Sequence, residues 1–406
     1  MGGAICIVSP GNLASNPRVL KEADALHEAG HTVTAVVCDY TEALRPFDDE
    51  IAGRVAWKVV RVARPAGERQ VGQAARGLAR LATGLGMRAP VAVAASAYGG
   101  PVSALRRAAS EVPADLYIAH YVAGLAAAAA VARRRGAMLG FDAEDYHAGE
   151  GTPFDTSMVR TIEGALLPAC RHVTAAAPLI AKAYAAQCRV EPATVLNVFP
   201  LAMAPIEPRA AFAPDTLKAY WFSQTIGLDR GLQSFIQAMA RTRTRVTLDV
   251  RGGNRWGHGE RLVALARELG IGDRVNLLPM ARPEEMVKLA ASYDIGLSLE
   301  TDVSENRLFC LTNKIFTYLL AGVPVLLSDT PAQRALAPDL GDAAAVVSLG
   351  DPDGIAAALD KLAAGLPQGR AEAQRLGRER YNWEIEQGAL LRSVAKAFDR
   401  GAPCRH

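Results

Sequence analysis

Residues Glu300 to Asp329, ETDVSENRLFCLTNKIFTYLLAGVPVLLSD, combine the side chains an anionic ligand needs with the start of a helix. A loop carrying Glu300, Asn306, Arg307, Thr312 and Asn313 runs into an apolar periodicity at Ile315, Phe316, Leu319 and Leu320, which predicts a helix with one face turned inward. Thr312 or Asn313 caps it, and Gly322 and Pro324 end it. Val323 to Leu327 then reads as a buried parallel strand. Free N–H groups at such a helix start carry partial positive charge and point back at the loop, which makes a cradle for a diphosphate. Lys314, in the first turn, opposes the helix dipole; it reads as held by an anionic ligand, with a solvated surface lysine as the alternative. Asn306 and Arg307 suit ribose or phosphate and Glu300 a ribose diol, with plain surface exposure open for each.

Other candidates stand where strands end. Gly11 and Asn12 follow the apolar run Ala4 to Val8, where a lack of side-chain bulk lets backbone approach a phosphate or simply makes a turn. FDAEDYHAGEG crowds Asp142, Glu144, Asp145 and His147 at another strand end; carboxylates there suit sugar hydroxyls and proton transfer, or else cap a helix or line a solvated loop. One histidine among carboxylates is too generic to assign a metal. Arg251, Gly252 and Gly253 close a third strand, and Arg251 is placed to meet a phosphate or base. Ser/His/Asp order, a GxSxG elbow, a Walker lysine motif and HExxH are all absent from the sequence, so hydrolase and phosphate-transfer templates have no support.

These positions need a frame, and strand and helix alternation supplies one. Ala4 to Val8, a helix from about Pro17 to Ala29 and a strand at Thr32 to Cys38 open the chain; Leu116 to Ala119, Leu125 to Arg135 and Met138 to Phe141 repeat the unit, and His172 to Ala176 adds a strand. Four prolines within 200–216 predict a linker. Strands at Lys218 to Phe222, Val246 to Val250, Val275 to Leu278, Ile295 to Leu299, Val323 to Leu327 and Ala345 to Ser348 then alternate with amphipathic stretches. The expectation is α/β: two doubly wound Rossmann-like domains, 1–205 and 206–384, facing across a cleft, with a final helix at 385–406 returning to the first.

Composition narrows the partners. The 406 residues suffice for two cores, and 45 basic against 42 acidic side chains, a formal charge of +3, argue against nucleic acid. Cys6, Cys38, Cys170, Cys188, Cys310 and Cys404 show neither CxxC nor zinc spacing, so buried thiols in a reducing compartment are expected. With no basic-then-apolar leader and no uninterrupted apolar span, a cytoplasmic location is expected.

Several segments together make a resemblance. SNPRVLKEADALHEAGHTVTAVV from Ser15, ADLYIAHY from Ala114, GLDRGLQSFIQAM from Gly227, TNKIFTYLLAGVPVL from Thr312 and the last helix after Trp383 occur in the order found in family 4 glycosyltransferases of the GT-B fold. The chain resembles that family over nearly its whole length, and the Asn313-Lys314 pair is similar to that of one branch. The resemblance implies transfer of a sugar from a UDP- or GDP-linked donor to an acceptor hydroxyl, with retention of configuration and without metal or cofactor. It implies that His120 reaches toward the donor sugar, with an ordinary strand-end histidine making backbone contacts as the alternative, that Arg230 stands where a lysine is usual, and that Arg230 and Lys314 face the departing diphosphate. An Arg230 merely solvated beside Asp229 is the alternative. Departures are Phe309 and Thr317 where two glutamates are usual, and Thr225 where an arginine is.

The acceptor side is thin. Arg61, Arg64, Arg69, Arg76, Arg80, Arg88, Arg106 and Arg107 face a single acid, Glu68, within an amphipathic stretch. Such a stretch fits peripheral attachment to an anionic membrane and a lipid-linked acceptor, or a solvated basic face. Assembly of a polysaccharide, glycolipid or glycosylated metabolite is the expected setting. A sugar-nucleotide epimerase of the same architecture, using Asp142 to His147, and a non-catalytic GT-B subunit remain the alternatives.

Overall fold

The computed structural model describes residues 2–64, 66–206 and 216–399. The chain divides into two compact units, one of Met1–Val195 with Gln387–His406, the other of Leu196–Glu386. The proline-rich linker falls largely on 207–215, outside the described residues.

The first unit is built on β1 (Ala4–Ser9), β2 (Thr32–Asp39), β3 (Lys58–Ala63), β4 (Leu116–His120), β5 (Met138–Ala143), β6 (Cys170–Ala175) and β7 (Ala193–Thr194). They pair in the order β3-β2-β1-β4-β5-β6-β7, and every pairing is parallel. The cause is legible in β1 and β4, whose apolar runs do not alternate: such strands must be covered on both faces, and helical crossovers do that. Helix Tyr121–Arg135 lies so close on β1 that a Cβ at Gly124 would stand 2.6 Å from the Val8 carbonyl oxygen. The edge strand β3 is less buried. The sheet reverses direction between β1 and β4, so the loops after them share the crevice at the strands' carboxyl ends. Helix Trp383–Asp399 ends in this unit, where Ser393 Oγ lies 2.9 Å from His172 Nδ1 and Phe398 stacks on His31.

The second unit repeats the plan with β8 (Thr216–Thr225), β9 (Arg245–Gly253), β10 (Val275–Leu278), β11 (Ile295–Ser298), β12 (Val325–Ser328) and β13 (Ala344–Val347), all parallel in the order β10-β9-β8-β11-β12-β13. Trp221, Phe235, Leu248, Val250, Leu297 and Leu326 belong to its core. The reversal here lies between β8 and β11, which makes the loops beginning at Ile226 and Leu299 neighbours.

Helix Asn313–Leu320 follows β11 and ends in a Schellman turn. Gly322 takes a φ of +69°, its N–H donates to Leu319 O, and Val323 N–H donates to Tyr318 O. Val323 is thus spent on closing the helix, so β12 starts at Val325 rather than at the expected Val323. The helix is locked to the sheet by Tyr318, whose ring covers Gly296 of β11 and whose hydroxyl donates to Tyr220 O at 2.8 Å. A Cβ on Gly296 would stand 2.1 Å from Tyr318 Cγ. Gly296→Ala is therefore expected to cost about 1–3 kcal/mol through overpacking, read as a lowered urea midpoint; a midpoint equal to the parent's would refute this close seat.

Candidate functional site

In the second unit the strand-end loops converge on one carboxylate. Glu300, the second residue after β11, is fully buried, and its N–H donates to Ser328 Oγ at 2.9 Å, tying the loop to β12. Lys314 Nζ lies 3.2 Å from Glu300 Oε1, Arg230 Nη1 lies 3.5 Å from Oε2, and Arg307 donates to the same Oε2. Arg230 comes from the loop after β8, Arg307 from the short helix Glu305–Phe309, and Lys314 from the first turn of Asn313–Leu320. Three cations face Glu300 and, beside Arg230, the half-exposed Asp229, which leaves one positive charge in excess within the cluster.

Each cation is held by more than Glu300. Ser304 Oγ accepts from Arg307 N–H at 3.3 Å and caps the short helix. Lys314 Nζ sits 6.0 Å from the Trp221 ring centre. Arg230 approaches Asp229 at 3.8 Å, its side chain is 19% exposed, and its Nε has no hydrogen-bond partner. Thr312 stands at the helix N-cap without capping it; its hydroxyl is 3.1 Å from Ser298 Oγ. The first N–H groups of Asn313–Leu320 therefore lack a side-chain cap beside the cations, the electrostatic setting an anion requires. The structure thus brings Arg230, Glu300, Arg307, Thr312, Asn313 and Lys314 together, with Asn306 buried in the same short helix.

Arg251 and Gly252 lie at the end of β9. Arg251 donates from Nε to Tyr220 Oη and from Nη1 to Pro279 O, both at 2.7 Å, so its guanidinium braces the sheet edge. A Cβ on Gly252 would be 2.7 Å from Ser223 O, so a neighbouring strand accounts for this glycine. Of the departures, Thr317 is buried with Oγ1 donating to Asn313 O, Phe309 ends the short helix, and Thr225 ends β8.

In the first unit the strand ends carry a different object, a buried charge network. The His120 ring is wholly enclosed, with Nε2 2.6 Å from Glu22 Oε2 and Nδ1 2.8 Å from Glu144 Oε1. Arg18 grips Asp142 with two bonds of 2.5 and 2.7 Å and donates to Val195 O, while Thr174 also donates to Asp142. Asn16 and Tyr121 donate to Glu144. The resemblance turns His120 toward a sugar; here both ring nitrogens are occupied by the protein's own carboxylates. Arg18 and Glu22, one turn apart on helix Pro17–Glu28, were missed by the sequence reading. The available signal was charge at core spacing in an amphipathic helix.

The network has clear electrostatic consequences. Burial by itself would lower the His120 pKa, but the charge of Glu22 and hydrogen bonds to Glu144 and Glu22 outweigh it and raise it to about 10. Burial would raise Asp142, yet the Arg18 charge and hydrogen bonds push it well below the usual carboxylate range. His120, Asp142 and Glu144 offer ligand atoms within 4.8 Å of one another, but Asp142 is already committed to Arg18 and Thr174. Asn12 is buried, with Nδ2 donating to Asp48 and Oδ1 accepting from Thr41 N–H, so it pins its loop. Gly11 has room for a Cβ, which would meet only Ser15 Oγ at 3.8 Å. Asp145 O accepts from Tyr184 Oη, and the buried His147 packs against Phe141 and Tyr121, its Nε2 without a hydrogen-bond partner.

Comparison with known proteins adds an independent line. Residues 222–364, which carry the Glu300 cluster, match the family model described as glycosyl transferases group 1. No curated protein matches the sequence. HepE from Anabaena, in complex with UDP and glucose, is similar in structure with a TM-score of 0.72 at 13% identity, over 97% of this chain and 99% of that one. Sucrose-phosphate synthase from Thermosynechococcus elongatus gives 0.71 at 12% identity, over 98% and 100%. The lipopolysaccharide outer core galactosyltransferase WaaB, in its apo form, gives 0.63 at 12%, over 98% and 100%. At such identities the likeness shows the fold, which is GT-B.

The His120 network predicts a signed pH dependence. Folded His120 keeps its proton to about 10, whereas its reference value is 6.5. Its stabilising contribution is thus complete below about pH 6.5, declines as pH rises and is gone above about pH 10. The urea-midpoint gap between the parent and His120→Gln is expected to narrow steadily over that interval. A ring that NMR shows titrating at its ordinary value would contradict the network.

Proposed function

We propose that the protein is a retaining glycosyltransferase that moves a sugar from a nucleotide diphosphate sugar to an acceptor hydroxyl. The observation that carries this reading is the Glu300 cluster: three cations held in place beside an uncapped helix start, at the point where the sheet order reverses. When the bond between the anomeric carbon and the phosphate oxygen breaks, the electron pair stays with the diphosphate. Preorganised positive charge lowers the energy of that state more than the ground state. Glu300 positions the cations; Arg230 and Lys314 meet the phosphates, and Arg307 supports them. The acceptor oxygen bonds to the anomeric carbon on the face the diphosphate leaves, and its proton passes to the departing phosphate oxygen. Side-chain cations supply the counter-charge in this reading, so it requires no metal or cofactor.

The complexes of HepE with UDP and with UDP-glucose support a uridine-linked donor as the first to assay. Asn306, Thr312 and Asn313 are the proposed donor contacts, and Asp145 to His147, in the loop after β5, are the proposed acceptor side, with a carbohydrate or lipid-linked acceptor. Asp142 and Glu144, the acids an epimerase would need free, are engaged by Arg18 and His120, which supports transfer over epimerisation.

Calorimetry with UDP- and GDP-sugars tests donor binding, and NMR of the product tests the configuration. Arg230→Ala and Lys314→Ala are each expected to lower kcat by about 10²–10³ while leaving the far-UV spectrum unchanged. Absence of binding to any nucleotide sugar, or turnover of labelled donor without acceptor, would overturn the proposal.

A further inference from the structure

Tyr121 opens helix Tyr121–Arg135 with a φ of +58°. Among the described residues other than glycine, only Arg189 shares this left-handed region, and Arg189 is an ordinary C-cap at the end of helix Pro178–Cys188. The conformation is strained for a bulky side chain, and a glycine or asparagine would adopt it more easily. The ring and hydroxyl therefore account for a tyrosine here. Tight seating of the helix start keeps the strain in place: a Cβ on Gly124 would stand 2.6 Å from the Val8 carbonyl oxygen, and one on Gly100 2.9 Å from Ala123 Cβ.

The side chain is half-buried beside the loop after β5. Its hydroxyl donates to Glu144 Oε2 at 3.3 Å, and its ring centre lies 5.6 Å from that of His147. The charge of Glu144, burial and the charge of Asp145 hold the phenol pKa well above its usual value, so the hydroxyl keeps its proton, directs it at Glu144 and retains free lone pairs. A second unspent group stands next to it. His147 is only 6% exposed, and its Nε2 has no hydrogen-bond partner, although its backbone N–H is anchored to Tyr184 Oη at 3.2 Å.

A partly open aromatic ring bordered by polar atoms with unused capacity suits a pyranose, which has an apolar C–H face and an edge of hydroxyls. An anionic ligand is the poorer match, because the charges acting on the phenol, from Glu144, Asp145 and Asp142, are all negative. We propose that Tyr121 is an acceptor-binding residue: its ring packs on the face of a neutral pyranose, its Oη accepts from one sugar hydroxyl, and His147 Nε2 bonds another. The role of this sugar as acceptor rests on the transferase reading; the sugar contact itself does not.

Saturation-transfer NMR of the full chain with the methyl glycosides of glucose, galactose and mannose tests the contact without donor or turnover. Transfer to the ring C–H protons of at least one glycoside is expected. Tyr121→Asn, which suits the left-handed backbone and removes the ring, is expected to abolish it with an unchanged far-UV spectrum. Tyr121→Phe keeps the ring and gives up one hydrogen bond, so its Kd is expected to rise about five- to tenfold. A parent that transfers no saturation to any of the glycosides, or variants that bind them like the parent, would overturn the proposal. Because no nucleotide is present, failure here is distinct from failure of donor binding in calorimetry.

Discussion

Glu300 is a fully buried carboxylate whose charge is met from three directions, by Arg230, Arg307 and Lys314. Burying one of these charges alone would be costly, and each is tolerable because the others are present. The mutual dependence sets the geometry of three loops at once: the one after β8, the one after β11, and the start of helix Asn313–Leu320. Had the acid and bases matched in number, the cluster would be an internal ion pair. The surplus of cations, beside a helix start without a side-chain cap, makes it an electrostatic receptor for an anion.

The surroundings of that cluster are arranged to keep it still. Tyr318 fills the space over Gly296 and fastens the helix to β11, while the Schellman turn at Gly322 sets where the next strand begins. The stacked pair Tyr220 and Tyr293, with Tyr293 Oη donating to Asp249, braces the neighbouring strands, and Arg251 is absorbed into that bracing. Rigid support is what lets fixed charges act without reorganising when a leaving group develops its own.

The first unit uses buried charge differently. Arg18, Glu22, His120, Asp142 and Glu144 satisfy one another inside the protein, and Tyr121, next to His120, takes a φ of +58°, uncommon for a bulky residue. Such a network joins helix Pro17–Glu28 to the ends of β4 and β5 and defines the shape of those strand-end loops. Its groups are engaged with each other, which is why the same residue types that mark a reactive site in a sequence here serve to hold one together.

Period and punctuation in the sequence determined the parallel α/β architecture, because unbroken apolar strands such as Ala4–Ser9 and Leu116–His120 must be covered on both faces, and because Gly322 followed by Pro324 can only end a helix. It also marked the loop and helix around Lys314, since a cation in a first helical turn is out of place without an anion. What it left open was the identity of partners. That Lys314 meets Glu300, that Arg251 is spent on Tyr220 and Pro279, and that Arg76 belongs to Asp155 while Arg69, Arg80 and Arg88 pair with no carboxylate among the described residues, are long-range facts. Local patterning records which face of an element is buried; which charge lies opposite depends on strand order, and only the tertiary structure decided that.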